Sequence, residues 1–290
     1  MSLGSWFLSF LKKLLGIGNP PTEGVTEFSS NAIQKALCIG INNYPGTGSD
    51  LNGCVNDARD WSDFLKEKGY EVKRYLDRGA TKLKVSRAIK DIVAKAKSGD
   101  SIVITYSGHG TFVKGDASGD EPDGKDEAWY LYDGIWTDDS IRSALSKLNS
   151  GVNLTIISDS CYSGTVTRAM ARAQQETDSP KIKYMPPESD EDALALPLLP
   201  TKKKMFQAEE SMNHVLITGC SDTEYSYDTS FNGKYNGAFS YFTLKILRVL
   251  GPCSYNEFYE ELRKKLPSGS LPQTPQCEGP EEKKASTMFA

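Results

Sequence analysis

Two short apolar runs, Ser101-Ile-Val-Ile-Thr-Tyr106 and Val152-Asn-Leu-Thr-Ile-Ile-Ser158, are rich in β-branched residues. Strands covered on both faces have this composition, so both are predicted as buried strands. A similar run, Ala36 to Ile41, precedes a segment from Asn56 to Lys68 whose apolar positions Ala58, Trp61, Phe64 and Leu65 recur at helical spacing. Tyr70 to Leu76 reads as a strand. Thr81 to Lys97 reads as an amphipathic helix with Leu83, Ala88, Ile89, Ile92, Val93 and Ala96 on one stripe. After the strand at 101–106 come a Gly/Asp-rich loop over 114–126, a short strand at 129–132, and a helix at about 139–148 that Thr137 or Asp138 caps. Beyond the strand ending at Ser158, order resumes with the strand His214 to Thr218, a turn-rich loop over 220–235, and helices over 238–250 and 255–265. This β-α-β alternation predicts an α/β fold, a mostly parallel central sheet flanked by helices on both faces.

Residues 165–212 interrupt the pattern. Polar, proline-punctuated and carrying Arg168, Arg172, Lys181, Lys183 and Lys202 to Lys204, they read as an exposed strap between a block at 36–164 and a block at 213–290. Residues 19–35 read as a linker. Residues 1–18 contain Trp6-Phe7-Leu8-Ser9-Phe10-Leu11-Lys12-Lys13-Leu14-Leu15-Gly16-Ile17, apolar and weakly basic, too short to span a bilayer and without a signal-peptide cleavage site. Two readings of residues 5–17 stand: an interfacial helix making a peripheral membrane contact, or a helix packed on its own domain or a partner.

The 290 residues suffice for a substantial core, and 38% hydrophobic with 25% charged residues is ordinary for a soluble protein. A net charge of −4 argues against a nucleic-acid partner. Six scattered cysteines without CxxC spacing indicate free thiols in a reducing, cytoplasmic or membrane-peripheral setting. With only His109 and His214 available, a histidine-rich zinc site is not expected.

Chemistry gathers directly after the two buried strands, in Tyr106-Ser-Gly-His109-Gly110 and Asp159-Ser-Cys161-Tyr-Ser-Gly164. Function in an open parallel sheet collects beyond the carboxyl ends of the strands. If these strands are neighbours, an imidazole and a thiol face each other there, the minimum for thiolate catalysis. Alone, each residue is as well read as a buried thiol or a turn histidine. As a pair after parallel strands they point to a site.

Further segments extend the pattern: Ala36-Leu-Cys-Ile-Gly-Ile-Asn42, Leu51-Asn-Gly-Cys54-Val-Asn56-Asp57-Ala58, Asp123-Gly-Lys-Asp126-Glu127, Asp138-Asp139, Ile217-Thr-Gly-Cys220-Ser-Asp222 and Asn236-Gly-Ala-Phe239-Ser-Tyr241. In this order the chain, from about 36 to 265, resembles a caspase-like cysteine peptidase of clan CD, the metacaspase and orthocaspase type. The resemblance implies a caspase-like fold over 36–290 and catalysis by Cys161 as nucleophile with His109 as general base and acid. No cofactor is required for that chemistry. Glycine lets the main chain approach closely, so the N–H groups of Gly110 and Cys161 are the expected oxyanion donors. No acidic third catalytic member is evident.

The resemblance places Asp57 and Asp159 in the pocket for the residue before the cut bond, with Cys54 and Ser107 alongside. Paired carboxylates select a guanidinium or ammonium, so the expected substrates are proteins or peptides with Arg or Lys there. The alternative is structural: Asp159 as a strand-end cap and Asp57 as a helix-start carboxylate. The basic strap is then a target for self-processing, or simply a solubilised loop. For an activating calcium ion the resemblance points to Asp126, Asp138 and Asp139; Asp138-Asp139 otherwise read as a helix N-cap with a first-turn acid. Two departures stand out: Arg168 where relatives carry a further acid, and Tyr162 where they often carry histidine. Competing readings are a catalytically silent scaffold, a legumain, clostripain or separase type of peptidase, and a flavodoxin-like nucleotide binder, the last without a phosphate-cradling loop after the first strand.

Overall fold

The computed structural model describes residues 32–114, 125–162, 179–186, 212–221 and 223–289. The N-terminal apolar segment, Asp123 and Arg168 lie outside the described residues.

Strands β1 (Gln34–Gly40), β2 (Glu71–Leu76), β3 (Ser101–Ser107), β7 (Asn153–Asp159), β9 (Val215–Thr218) and β12 (Gln276–Glu278) form a sheet in the order β12-β9-β7-β3-β1-β2. All neighbours are parallel except β12, which runs antiparallel to β9 at the edge. The two chemistry-bearing strands are therefore adjacent, with Ser107 opposite Asp159 at their carboxyl ends.

Alternation along each strand feeds two cores. Ile102, Ile104 and Tyr106 of β3 join Leu37, Ile39, Leu154 and Ile156 on one face, against α2 (Lys82–Lys95) and α3 (Asp138–Leu145). On the other face Val103, Cys38, Ile157 and Ile217 meet Trp61, Phe64 and Leu65 of α1 (Cys54–Glu67), Phe239 and Leu247 of α4 (Ala238–Leu250), and Phe258 of α5 (Tyr255–Arg263). The buried stripe of α2 is Val85, Ile89 and Val93. Leu83, expected on that stripe, is instead 63% exposed. Thr137 caps α3, its hydroxyl accepting from Ser140 N.

Small antiparallel sheets stand where loops were expected. Part of the 114–126 region belongs to a meander of β4 (Gly110–Lys114), β5 (Lys125–Leu131) and β6 (Gly134–Thr137). Within the turn-rich 220–235 region, β10 (Tyr227–Phe231) pairs with β11 (Lys234–Gly237). The strap is not wholly exposed either: β8 (Lys181–Ile182) adds antiparallel to β10, and Lys183, Tyr184 and Met185 are buried. A final short helix, α6 (Glu281–Lys284), follows β12.

Candidate active site

His109 and Cys161 each lie two residues past the paired Ser107 and Asp159, so the β3–β7 ladder delivers both to one sheet edge. Both are buried. The ladder ends there because Gly110 turns away into β4 and packs its Cα on the Cys161 main chain. A Cβ at position 110 would lie 2.0 Å from the Cys161 carbonyl oxygen, which only glycine avoids.

The imidazole is held on three sides. Its backbone N–H donates to the Tyr44 hydroxyl (2.8 Å), its carbonyl accepts from the Tyr106 hydroxyl (2.6 Å), and the Tyr44 ring packs on it at 4.5 Å. Nε2 lies 2.6 Å from the Ser49 carbonyl oxygen, a pure acceptor, so Nε2 carries the proton and Nδ1 the lone pair. Nδ1 is buried and has no hydrogen-bond partner. Burial, against the pull of the Ser49 carbonyl, lowers the His109 pKa to about 4, keeping the ring neutral near pH 7. The orienting third member is thus a main-chain carbonyl, which has no side-chain signature.

The Cys161 sulfur accepts from Ser226 N (2.7 Å) and lies 3.4 Å from Ser226 O. Cys220 is buried against it, its thiol pKa raised by hydrogen bonding to Cys161 and by burial. Thiol and imidazole are not hydrogen-bonded to each other through Nδ1, and the main chain of Lys183 in the strap lies against both residues. The Lys183 carbonyl oxygen accepts from Gly110 N (3.0 Å) and Cys161 N (3.1 Å), the two donors expected to hold an oxyanion.

The Lys183 side chain fills the acidic pocket. Its Nζ is 3.2 Å from Asp57 Oδ2, 3.1 Å from Asp159 Oδ1 and 2.9 Å from Ser107 Oγ, all fully or nearly buried. The acids are held from behind. Asp57 accepts from Ser107 Oγ (2.6 Å), Asn236 Nδ2 (2.9 Å) and Gly237 N (3.0 Å). Asp159 accepts from Ser226 Oγ (2.6 Å) and from Ser240 N and Oγ (3.1 and 2.7 Å). Burial raises Asp57 to about 6 against the opposing Lys183 charge, so it is ionised at neutral pH. Burial also works against the Lys183 charge, yet the surrounding acids, Asp159 foremost, hold that pKa well above the ordinary lysine value. Cys54 lines the same pocket, where burial raises its thiol pKa and it stays protonated. Asp57 also sits in the first turn of α1, the placement that the helix-start reading expects.

The three acids expected to hold calcium are not all brought together. Asp138 faces Asp126, and each leaves one buried carboxylate oxygen without a hydrogen-bond partner. Burial first, and then Asp126, push the Asp138 carboxyl up to about 9. Carboxylate oxygens are the donors calcium takes, but two acids fall short of its roughly six to eight ligands, and no group of three or more metal-ligating side chains occurs among the described residues. Asp139 does not join them: it is half-exposed and ion-paired with Arg142, one turn along α3.

Residues beyond the sequence expectation complete the site, Ser49, Ser226, Gly237 and Ser240, and Lys183, named from the sequence only among the basic strap residues, joins them. Gly237 and Ser240 lie in the Asn236 to Tyr241 segment already singled out. Lys183 had only its apolar and aromatic neighbours, Ile182 and Tyr184, to mark it within a polar strap.

A parallel sheet that carries a thiol and an imidazole to one edge and docks an extended segment between them defines a caspase-like cysteine peptidase. A caspase-domain family model matches residues 33–285, and the chain belongs to that family. Among relatives, metacaspase-1B of Neosartorya fischeri is 31% identical over 84% of this chain and 68% of its own. Metacaspase-1 of Cryptococcus neoformans var. neoformans serotype D is 29% identical over 96% and 69%. Metacaspase-4 of Arabidopsis thaliana is 40% identical over 45% of this chain, but the match spans only 34% of that protein. A crystal structure of protein GSU0716 from Geobacter sulfurreducens superposes with a TM-score of 0.66 at 28% identity, over 89% of this chain and 98% of that one. Caspase-1 from Spodoptera frugiperda shares the fold at a TM-score of 0.56 and 11% identity, over 91% and 94%.

Proposed function

We propose that this chain is an endopeptidase that cuts after Lys or Arg through Cys161 and His109, and that it processes its own strap at the Lys183–Tyr184 bond. One observation carries the reading: Lys183 sits as a substrate residue sits, its carbonyl oxygen on two main-chain N–H groups and its ammonium between two buried carboxylates.

The steps follow from the atoms present. His109 Nδ1 takes the Cys161 proton while Nε2–H stays on the Ser49 carbonyl. The thiolate leaves Ser226 and attacks the Lys183 carbonyl carbon. Negative charge grows on an oxygen already within 3.1 Å of the Gly110 and Cys161 N–H donors, so little reorganisation is needed. The imidazolium returns its proton to the Tyr184 nitrogen as the C–N bond breaks. Water, deprotonated by the same imidazole, then releases the thioester.

Charge sets the specificity. An aspartate in this pocket would meet two buried anions, whereas Lys or Arg meets opposite charge with hydrogen-bond acceptors already positioned. Calcium activation enters through Asp126 and Asp138, whose spare oxygens would hold the ion beside the β5–α3 region; its contribution there is to neutralise two facing acids.

The test is hydrolysis of fluorogenic peptides ending in Arg, Lys or Asp, with calcium and with chelator, by wild type and Cys161→Ala. Cleavage after Arg and Lys, lost in Cys161→Ala, is expected. Preference for Asp rejects the pocket assignment, and activity indifferent to chelator removes calcium from the scheme.

A further inference from the structure

Resting on that reading and deepening it, we infer that the cleft also selects the residues on either side of the Lys or Arg. The preferred substrate is a basic residue, an aliphatic residue, Lys or Arg, the cut, and then an aromatic ring recognised by Phe112.

Residues 181–185 thread the whole cleft. On the side before the cut, β8 pairs antiparallel with β10, Lys181 opposite Asp228 and Ile182 opposite Tyr227, and Lys183 N donates to Ser226 O at 3.0 Å. This is strand addition to an existing hairpin, which fixes where each side chain points. The Lys181 ammonium donates to the Asp50 carbonyl oxygen (2.9 Å) and to Asn52 Oδ1 (3.4 Å). Ile182 packs against the small apolar cluster that contains Cys220 and Phe112, beside Tyr225.

On the side after the cut, the partner is β4. Tyr184 bridges to Gly110, and Met185 N donates to Gly110 O at 2.8 Å. Gly110 thus holds both sides of the bond, its N–H on the Lys183 carbonyl and its C=O on the second residue beyond. The Tyr184 ring is buried and lies nearly parallel to Phe112, centroids 6.4 Å apart and planes 26° from one another. Its hydroxyl, buried and without a hydrogen-bond partner, adds nothing to that seat. The ring is what is read, so phenylalanine fits at least as well as tyrosine.

Internally quenched peptides with the sequence of residues 180–186 provide the test, varied only after the cut (Tyr, Phe, Ala, Asp) or at the Lys181 position (Lys, Ala, Glu), with wild type, Phe112→Leu and Phe112→Ala. In wild type kcat/KM is expected to rank Phe at or above Tyr, with Ala lower by about tenfold for the lost ring packing. Glu at the Lys181 position is expected to lower it by about fivefold, since a carboxylate would face two oxygen acceptors. Phe112→Leu keeps the site filled but removes the ring, and brings Tyr and Ala to within about threefold of each other. Equal cleavage of Tyr and Ala peptides by wild type, with Lys still required before the cut, overturns the inference and leaves the parent reading standing. Retention of the full Tyr-to-Ala ratio in both Phe112 variants also overturns it. Failure to cut any peptide with Lys or Arg before the bond overturns the parent reading, and this inference with it.

Discussion

Replacing Gly237 by alanine tests the pocket with a single methyl group. The Gly237 backbone has φ −65° and ψ 134°, values any L-residue adopts, so alanine introduces no conformational strain. The obstacle is space: a Cβ there would lie 2.1 Å from both Lys183 Nζ and Asp159 Oδ2, and 2.8 Å from Asp57 Oδ2. Non-bonded contacts to carbon settle at about 3.5 Å, so an incoming ammonium must retreat by more than about 1 Å. It then loses at least one charge-assisted hydrogen bond to a desolvated carboxylate, a loss of about 3 kcal/mol, or on the order of a hundredfold in kcat/KM. The assay is kcat/KM for peptides with Lys and with Arg before the cut, alongside the thermal midpoint and the rate of Cys161 alkylation by iodoacetamide. That small reagent does not use the pocket, so unchanged alkylation shows the thiol and imidazole intact. Cleavage after Lys within about threefold of wild type, in a variant that folds normally, would refute the reasoning.

Burial raises the Asp57 carboxyl to about 6 even with the Lys183 ammonium pulling it down, and it binds a cation only when ionised, so kcat/KM for Lys and Arg peptides should fall as pH drops toward and below about 6. Ser107→Ala removes the hydrogen bond that favours the Asp57 anion and should move this acid limb to higher pH, read from the pH profile of kcat/KM. Burial holds both histidines near pKa 4, below the ordinary 6.5, so each takes a proton in the unfolded chain and costs the fold stability as pH drops from 6.5 toward 4, while the raised Asp57 and Asp138 carboxyls act in the opposite direction. The His109 share is therefore a difference: urea midpoints of Cys161→Ala should fall more, or rise less, over that interval than those of the same variant carrying His109→Gln. If calcium enters between Asp126 and Asp138, Asp138→Asn should abolish any calcium response of peptide hydrolysis, whereas Asp139→Asn, altering an acid already paired with Arg142, should leave it.

What the sequence made legible was whatever had to be buried on two faces or carried by a side chain. The strands β1, β3, β7 and β9 announce themselves through runs such as Ile102-Val-Ile104 because helices cover both sides of the sheet. Asp57, Ser107 and Asp159 were named through the resemblance to caspase-like peptidases, in segments that open α1 and close β3 and β7. The hairpin β10–β11 was missed, and of the meander β4–β6 only the part of β5 at 129–131 was read as a strand: Tyr227-Asp-Thr-Ser-Phe231 is polar and only partly buried, and pairs for its backbone rather than for its apolar content. Ser49 acts through a carbonyl and Gly237 through the absence of a side chain, so neither has a residue-type signal. Lys183 was masked by its surroundings. A basic residue in a polar, proline-flanked strap looks solvated until β10 offers an edge for it to join and two acids lie at the reach of its side chain.

The central claim is that the Lys183–Tyr184 bond lies in register for cleavage by Cys161. Purified wild-type chain, incubated and separated by size, should give a C-terminal fragment whose first residue, by N-terminal sequencing, is Tyr184, and Cys161→Ala should give none. A wild-type fragment beginning elsewhere in the strap, or the Tyr184 fragment persisting in Cys161→Ala, would contradict it.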